Sequence, residues 1–104
     1  MKNSPEFKEA LDFFLMGVNK LVAEANLAHP REIKVSGGRK YLKLANYENG
    51  SDRPSSVYCF IDTTNGDVLK AASWNAPAKH ARGNLFDESN GLAGMSWTGA
   101  AYLR

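Results

Sequence analysis

The chain has one cysteine, two histidines, no apolar run long enough to cross a bilayer and little excess charge, and each shortage closes a class of function. With Cys59 alone there is no intramolecular disulfide and no cysteine-only zinc site within one chain. A single thiol is what a reducing compartment allows. His29, His80 and Cys59 have no close spacing, so we read no metal site from them. The longest strongly apolar stretch, Leu11 to Val18, is broken by Asp12 and Gly17 and falls short of the ~20 residues of a membrane helix. The opening MKNSPEFKEAL carries no signal-peptide core, so we expect a soluble, cytoplasmic protein that avoids membranes. A net charge of +2 gives overall charge no argument for nucleic acid, and any electrostatic case rests on local clustering.

What remains describes a small globular domain. The chain has 104 residues, 43% of them hydrophobic and 23% charged, with no internal repeat and no low-complexity segment. We expect one domain over 1–104, able to bury roughly two thirds of its unfolded surface. Ser4-Pro5 starts a helix, with serine as cap and proline in the first turn. Phe7, Leu11, Phe14, Val18, Leu21 and Ala25 then recur every three or four residues. The stripe predicts an amphipathic helix over about 5–28, ending where His29 meets Pro30. Phe13 and Met16 lie off its centre and mark a candidate subunit contact.

Alternation predicts the sheet, over about 33–72. Ile33 and Val35 make a short strand, and Ser36-Gly37-Gly38 a plain turn that lacks the spacing of a phosphate-binding loop. In KYLKLANY, Leu42 and Leu44 share one face and Tyr41, Lys43, Ala45 and Tyr47 the other. In SVYCFID, Val57, Cys59 and Ile61 oppose Tyr58 and Phe60, and the two apolar faces imply a central strand. Asn65-Gly66 reads as a tight hairpin turn before a partner strand at 67–72. The fold expected is α+β: one helix on a small antiparallel sheet of three to four strands. A loop-rich segment, 73–104, follows; its apolar residues imply an ordered wrap over the sheet or a neighbouring subunit. One helical turn is expected around Pro77, from Ala76 to Ala81.

The densest chemistry lies in DVLKAASWNAPAKHARGN, from Asp67 to Asn84. Lys70, Lys79, His80 and Arg82 fall within thirteen residues, with Trp74 among them and no acid between Asp67 and Asp87. Lysine and arginine donate to phosphate oxygens, arginine bidentately, and His80 adds a further donor. The competing reading is a solvated loop paired with Asp87 and Glu88. Aromatics beside Lys43 on a sheet face, Tyr41 and Tyr58 among them, resemble the platforms on which single-stranded nucleic acid stacks. The ordinary alternative packs that face against the C-terminal segment, and Trp74 and Trp97 into a core or interface. No catalytic constellation is complete. Cys59 shares a face with Val57 and Ile61, the setting of an inert thiol. Turn and cap roles account for Asp62, Asp67, Asp87 and Glu88.

The segments SVYCFID, TNGDVLKAASW, APAKHARGNLFD and the closing GAAYLR resemble a family of small, mostly uncharacterised tailed-bacteriophage proteins, over about the last 60 residues. The resemblance implies a viral protein made in the host cytoplasm. The function expected is non-enzymatic, without a cofactor: binding of phosphate-bearing ligands, foremost single-stranded nucleic acid. Lys70, Lys79, His80 and Arg82 would hold phosphates, and Trp74 with Tyr58 or Tyr41 would stack on bases. One alternative is a phage inhibitor or accessory factor that binds a host protein or sequesters a nucleotide. Another is a minor structural or assembly protein. A sheet with one helix leaves a face to cover, so a homo-oligomer is expected.

Overall fold

A computed structural model describes residues 4–25, 30–48, 50–96 and 99–100. The order is α1 (Pro5–Glu24), β1 (Arg31–Gly37), β2 (Tyr41–Glu48), β3 (Ser56–Asp62), β4 (Asp67–Ala71), β5 (Pro77–Asn84), β6 (Met95–Ser96) and β7 (Gly99–Ala100). The class is α+β, but the main sheet has five strands rather than three to four, in the order β1-β2-β3-β4-β5. Every pairing between neighbours is antiparallel. The predicted helix end near Ala28, and Trp97, lie outside the described residues.

Helix α1 begins as its composition dictates. The Ser4 hydroxyl accepts from the Phe7 N–H at 3.1 Å, Pro5 occupies the first turn, and Glu6 faces the positive end of the dipole. Phe7, Phe14, Val18 and Val22 are buried against Ile33, Leu42, Leu44, Ile61 and Val68. A second contact ties the helix to the sheet edge. The Asn19 side-chain amide accepts from the Ile33 N–H at 2.7 Å and donates to the Ile33 carbonyl at 3.0 Å. It also donates to the Leu15 carbonyl at 3.0 Å, which holds its rotamer.

Two corrections concern the strands. The stretch expected as a loop with one helical turn, Ala76 to Ala81, instead belongs to β5 from Pro77 on, paired to β4 through Leu69↔Ala81 and Ala71↔Pro77. No helix N-terminus is therefore available there for an anion. The β2–β3 register also shifts, from Leu44↔Cys59 to Ala45↔Val57, so Tyr58 is an extra residue on β3. A bulge puts two successive residues on one face. Tyr58 and Cys59 both join the helix-side core, which breaks the predicted alternation.

The β3–β4 connection is a hairpin, as predicted, but a wider one. Gly66 has φ 83°, whereas Asn65 keeps a negative φ, so the two-residue turn with both centres left-handed does not form. The Gly66 N–H donates to the Asp62 carbonyl at 2.8 Å, and Asp62 Oδ1 accepts from the Thr64 N–H at 2.8 Å.

The segment after β5 packs on the same face as the helix. Leu85 is buried in the core, and Leu92 and Met95 pack against it. Gly17 makes this possible: a Cβ there would stand 2.5 Å from Leu92 Cδ1. Asn90 locks the segment by donating to the carbonyls of Ala10 at 3.1 Å and Leu85 at 2.8 Å. Asp87 organises the turn, accepting from the N–H groups of Gly91 at 2.8 Å, Ser89 at 2.9 Å and Asn84 at 3.1 Å. The Gly91 bond leads the interactions that hold its carboxyl below the usual range.

Replacing Asn19→Ala strands the Ile33 backbone groups and should cost about 1–3 kcal/mol, read as a lower urea midpoint with unchanged slope. For Asp87→Asn, the sign of the pH dependence follows from a depressed folded pKa. The wild-type advantage should be full above the unfolded carboxylate value of about 4 and shrink as pH falls below it, in paired denaturation curves from pH 7 to 2.5.

Candidate functional site

Helix and C-terminal segment share one face of the sheet, so the chemistry of the opposite face comes from the strands themselves. Leu42 and Leu44 face the helix, and by alternation Tyr41, Lys43, Ala45 and Tyr47 of β2 lie opposite. Register adds Lys34 of β1 across from Ala45, and Phe60 of β3 across from Lys43 and Leu69. Phe60, Ala45 and Leu69 are buried yet stand outside the helix-side core. They form the apolar floor of this second face.

Cations and rings are paired on it. Among the described residues, Lys34 Nζ lies 4.5 Å from the centroid of the Tyr47 ring, Lys43 Nζ 4.6 Å from that of Trp74, and Lys40 Nζ 5.3 Å from that of Tyr41. These are cation–π distances. Trp74 is 46% exposed, so it is not the core residue that ordinary tryptophan packing would make it. Lys43 Nζ also donates to Asn75 Oδ1 at 3.0 Å, which holds the turn after β4 over the face.

At one end of the face lies a cleft of about 380 Å³. The β1–β2 turn, with Arg39 and Lys40, forms its rim; Tyr41, Lys43, Phe60 and Asn75 complete it. Gly38 is required in that turn. Its φ is 113°, and a Cβ would stand 2.1 Å from the Tyr41 carbonyl oxygen.

The predicted phosphate-binding residues are not gathered here. Lys79 and His80 are exposed on β5, an edge strand. The Arg82 guanidinium donates to the His80 carbonyl. By alternation Lys70 shares the face of Val68, on the helix side, away from Trp74. Of the predicted stacking residues, Trp74 and Tyr41 are on the open face, but Tyr58 is not. It is 3% exposed, and its hydroxyl donates to the Ser96 carbonyl at 2.5 Å. Burial pushes its pKa up. The bulge is the physical reason this assignment fails.

Sequence reasoning missed Arg39, Lys40, Lys34 and Asn75. The signal is the run Ser36 to Lys40, in which two glycines precede two cations, although its spacing predicts only a plain turn. Cys59 is where its pattern placed it, fully buried, with burial raising its pKa. Among the described residues no group of acidic, histidine and cysteine side chains could hold a metal ion, and no helix is long and apolar enough to cross a membrane.

The chain belongs to DUF7717, a family of unknown function, whose model matches residues 8–103. No curated protein and no solved structure matches it.

In the folded state Cys59 should react with an aromatic disulfide reagent only as fast as the protein unfolds. Free-thiol reactivity at pH 8 without denaturant would show that the strand opens locally.

Proposed function

We propose that this chain is a small non-enzymatic module that binds single-stranded nucleic acid across the open sheet face. The observation that carries the reading is the set of three lysine–ring pairs on that one face. Single-strand binders need this combination: rings on which bases stack in any sequence, and cations that track the backbone. The face has a buried apolar floor; Tyr41 and Tyr47 stand on β2, and Trp74 on the turn after β4, which the Lys43–Asn75 hydrogen bond ties to that strand. The site differs from the sequence expectation. Tyr41 and Trp74 remain stacking residues, Tyr47 replaces Tyr58, and Lys34, Arg39, Lys40 and Lys43 take the place of Lys70, Lys79, His80 and Arg82. A phage origin, with work in the host cytoplasm, belongs to the same proposal and rests on the resemblance of the strand segments.

A second reading, an inhibitor or accessory factor for a host protein, has its own support. A groove of about 480 Å³ runs between α1 and the turn after β5, lined by Phe13, Phe86, Glu6 and Glu9. Phe13 is 56% exposed and Met16 67%, large values for apolar side chains. Such patches mark contact surfaces, including those between copies of one chain.

Anisotropy with labelled 12-residue oligonucleotides tests the first reading. Four phosphates neutralised by Lys34, Arg39, Lys40 and Lys43 should give a slope of about −3 in log affinity against log salt. Trp74→Ala should weaken binding by about 5- to 150-fold, the measured scale of one stacked base. Lys79→Ala should stay within about twofold, as a surface change away from the site. Affinity that ignores salt, or loss with Lys79→Ala but not Trp74→Ala, overturns the reading.

A further inference from the structure

The cleft at one end of the open face differs from the rest of that face in charge density. Arg39, Lys40 and Lys43 line one space, and its lining holds no carboxylate. At the other end of the face Lys34 stands over Tyr47 as a single cation–ring pair. One ammonium beside one ring suits an internal phosphodiester, which carries a single charge. Three cations around one cleft suit a dianion. A terminal phosphomonoester is that group, with about −1.5 to −2 charges at pH 7 and three acceptor oxygens.

The shape agrees with the charge. Gly37 and Gly38 bring backbone without side chains to the rim, beside Arg39. An arginine there offers the planar fork that engages two phosphate oxygens at once. Lys43 donates one N–H to Asn75 Oδ1, and its ammonium has two more donors. Phe60 closes the floor, and the Tyr41 ring, with Lys40 Nζ 5.3 Å from its centroid, supplies a flat wall. A volume of about 380 Å³ falls within the roughly 300–1,000 Å³ of small-ligand sites.

We infer that this cleft binds the phosphorylated end of a strand: the phosphate of a terminal nucleotide held by Arg39, Lys40 and Lys43, its base against Tyr41. The inference rests on the strand-binding reading and adds an end to it. The protein then sits at strand termini, with the rest of the sheet face taking the nucleotides that follow.

The test compares one 12-residue sequence with a 5′-phosphate, with a 3′-phosphate, with hydroxyl ends and circularised, alongside a nucleoside monophosphate titrated by NMR. One phosphorylated end should bind about tenfold tighter than the hydroxyl-ended and circular forms, the scale of one added charge-assisted hydrogen bond. The Arg39→Ala/Lys40→Ala variant should lose that preference, the ratio of phosphorylated to hydroxyl-ended affinity falling to about one, while any general weakening from the two lost cations is shared by all four oligonucleotides; both residues are exposed, and an unchanged melting curve confirms the fold. Equal binding of all four oligonucleotides overturns the inference and leaves strand binding standing. A monophosphate that shifts the Arg39–Lys43 resonances while no oligonucleotide binds supports the cleft and removes the strand reading. No binding of either overturns both, and a preference that survives in the double variant overturns the assignment to this cleft.

Discussion

Ile33 lies on an edge strand, and its N–H and carbonyl are met by a side chain from the helix. Asn19 imitates a neighbouring strand, accepting from the one and donating to the other. A bare edge would otherwise offer these groups to another chain. The pair sets the helix along β1, and the position of everything after β5 depends on that placement. With α1 fixed, Gly17 leaves a recess for Leu92, and Asn90 reaches the Ala10 carbonyl. The C-terminal segment is thereby drawn to the helix side. Both covering pieces end on one face.

The second face must manage with its own residues. Its inner side chains, Ala45, Phe60 and Leu69, are buried although neither the helix-side core nor the C-terminal segment includes them. Lysines with long stems cover rings and floor while their ammonium groups stay wet. A lysine held over a ring contributes only about 0.5–1 kcal/mol at an exposed site, so the pairs matter less for stability than for what they present. They hold charge next to a flat apolar surface, the combination on which the proposed strand binding rests.

Much of the fold was legible in the sequence because local signals agreed with the tertiary answer. The Ser4-Pro5 start, the stripe from Phe7 to Val22, the whole of β3 and the buried thiol of Cys59 follow from capping, period and composition. β5 was not legible. PAKHARGN has no β-branched residue, two cations and a histidine, and it becomes a strand because β4 offers it an edge, across register shifts that no periodicity records. The bulge at Tyr58 was hidden for the same reason: an extra residue is defined only against its partner strand. Of the site, Tyr41, Lys43 and Trp74 stood out early. Lys34, Arg39 and Lys40 did not, because Lys34 reaches the Tyr47 ring only through the pairing of β1 with β2 and a Gly-Gly turn reads as punctuation.

The order of residues by itself determined an α+β class, the lack of a disulfide within this chain, a capped helix, a central strand apolar on both sides and a supply of cations and aromatic rings. Those properties are local, or sums over the chain. The tertiary structure alone decided which face stays open, which cations stand together and whether Tyr58 can meet a ligand. These are relations between segments far apart in sequence, settled by the register of β2 on β3 and by the helix and C-terminal segment packing on the same side.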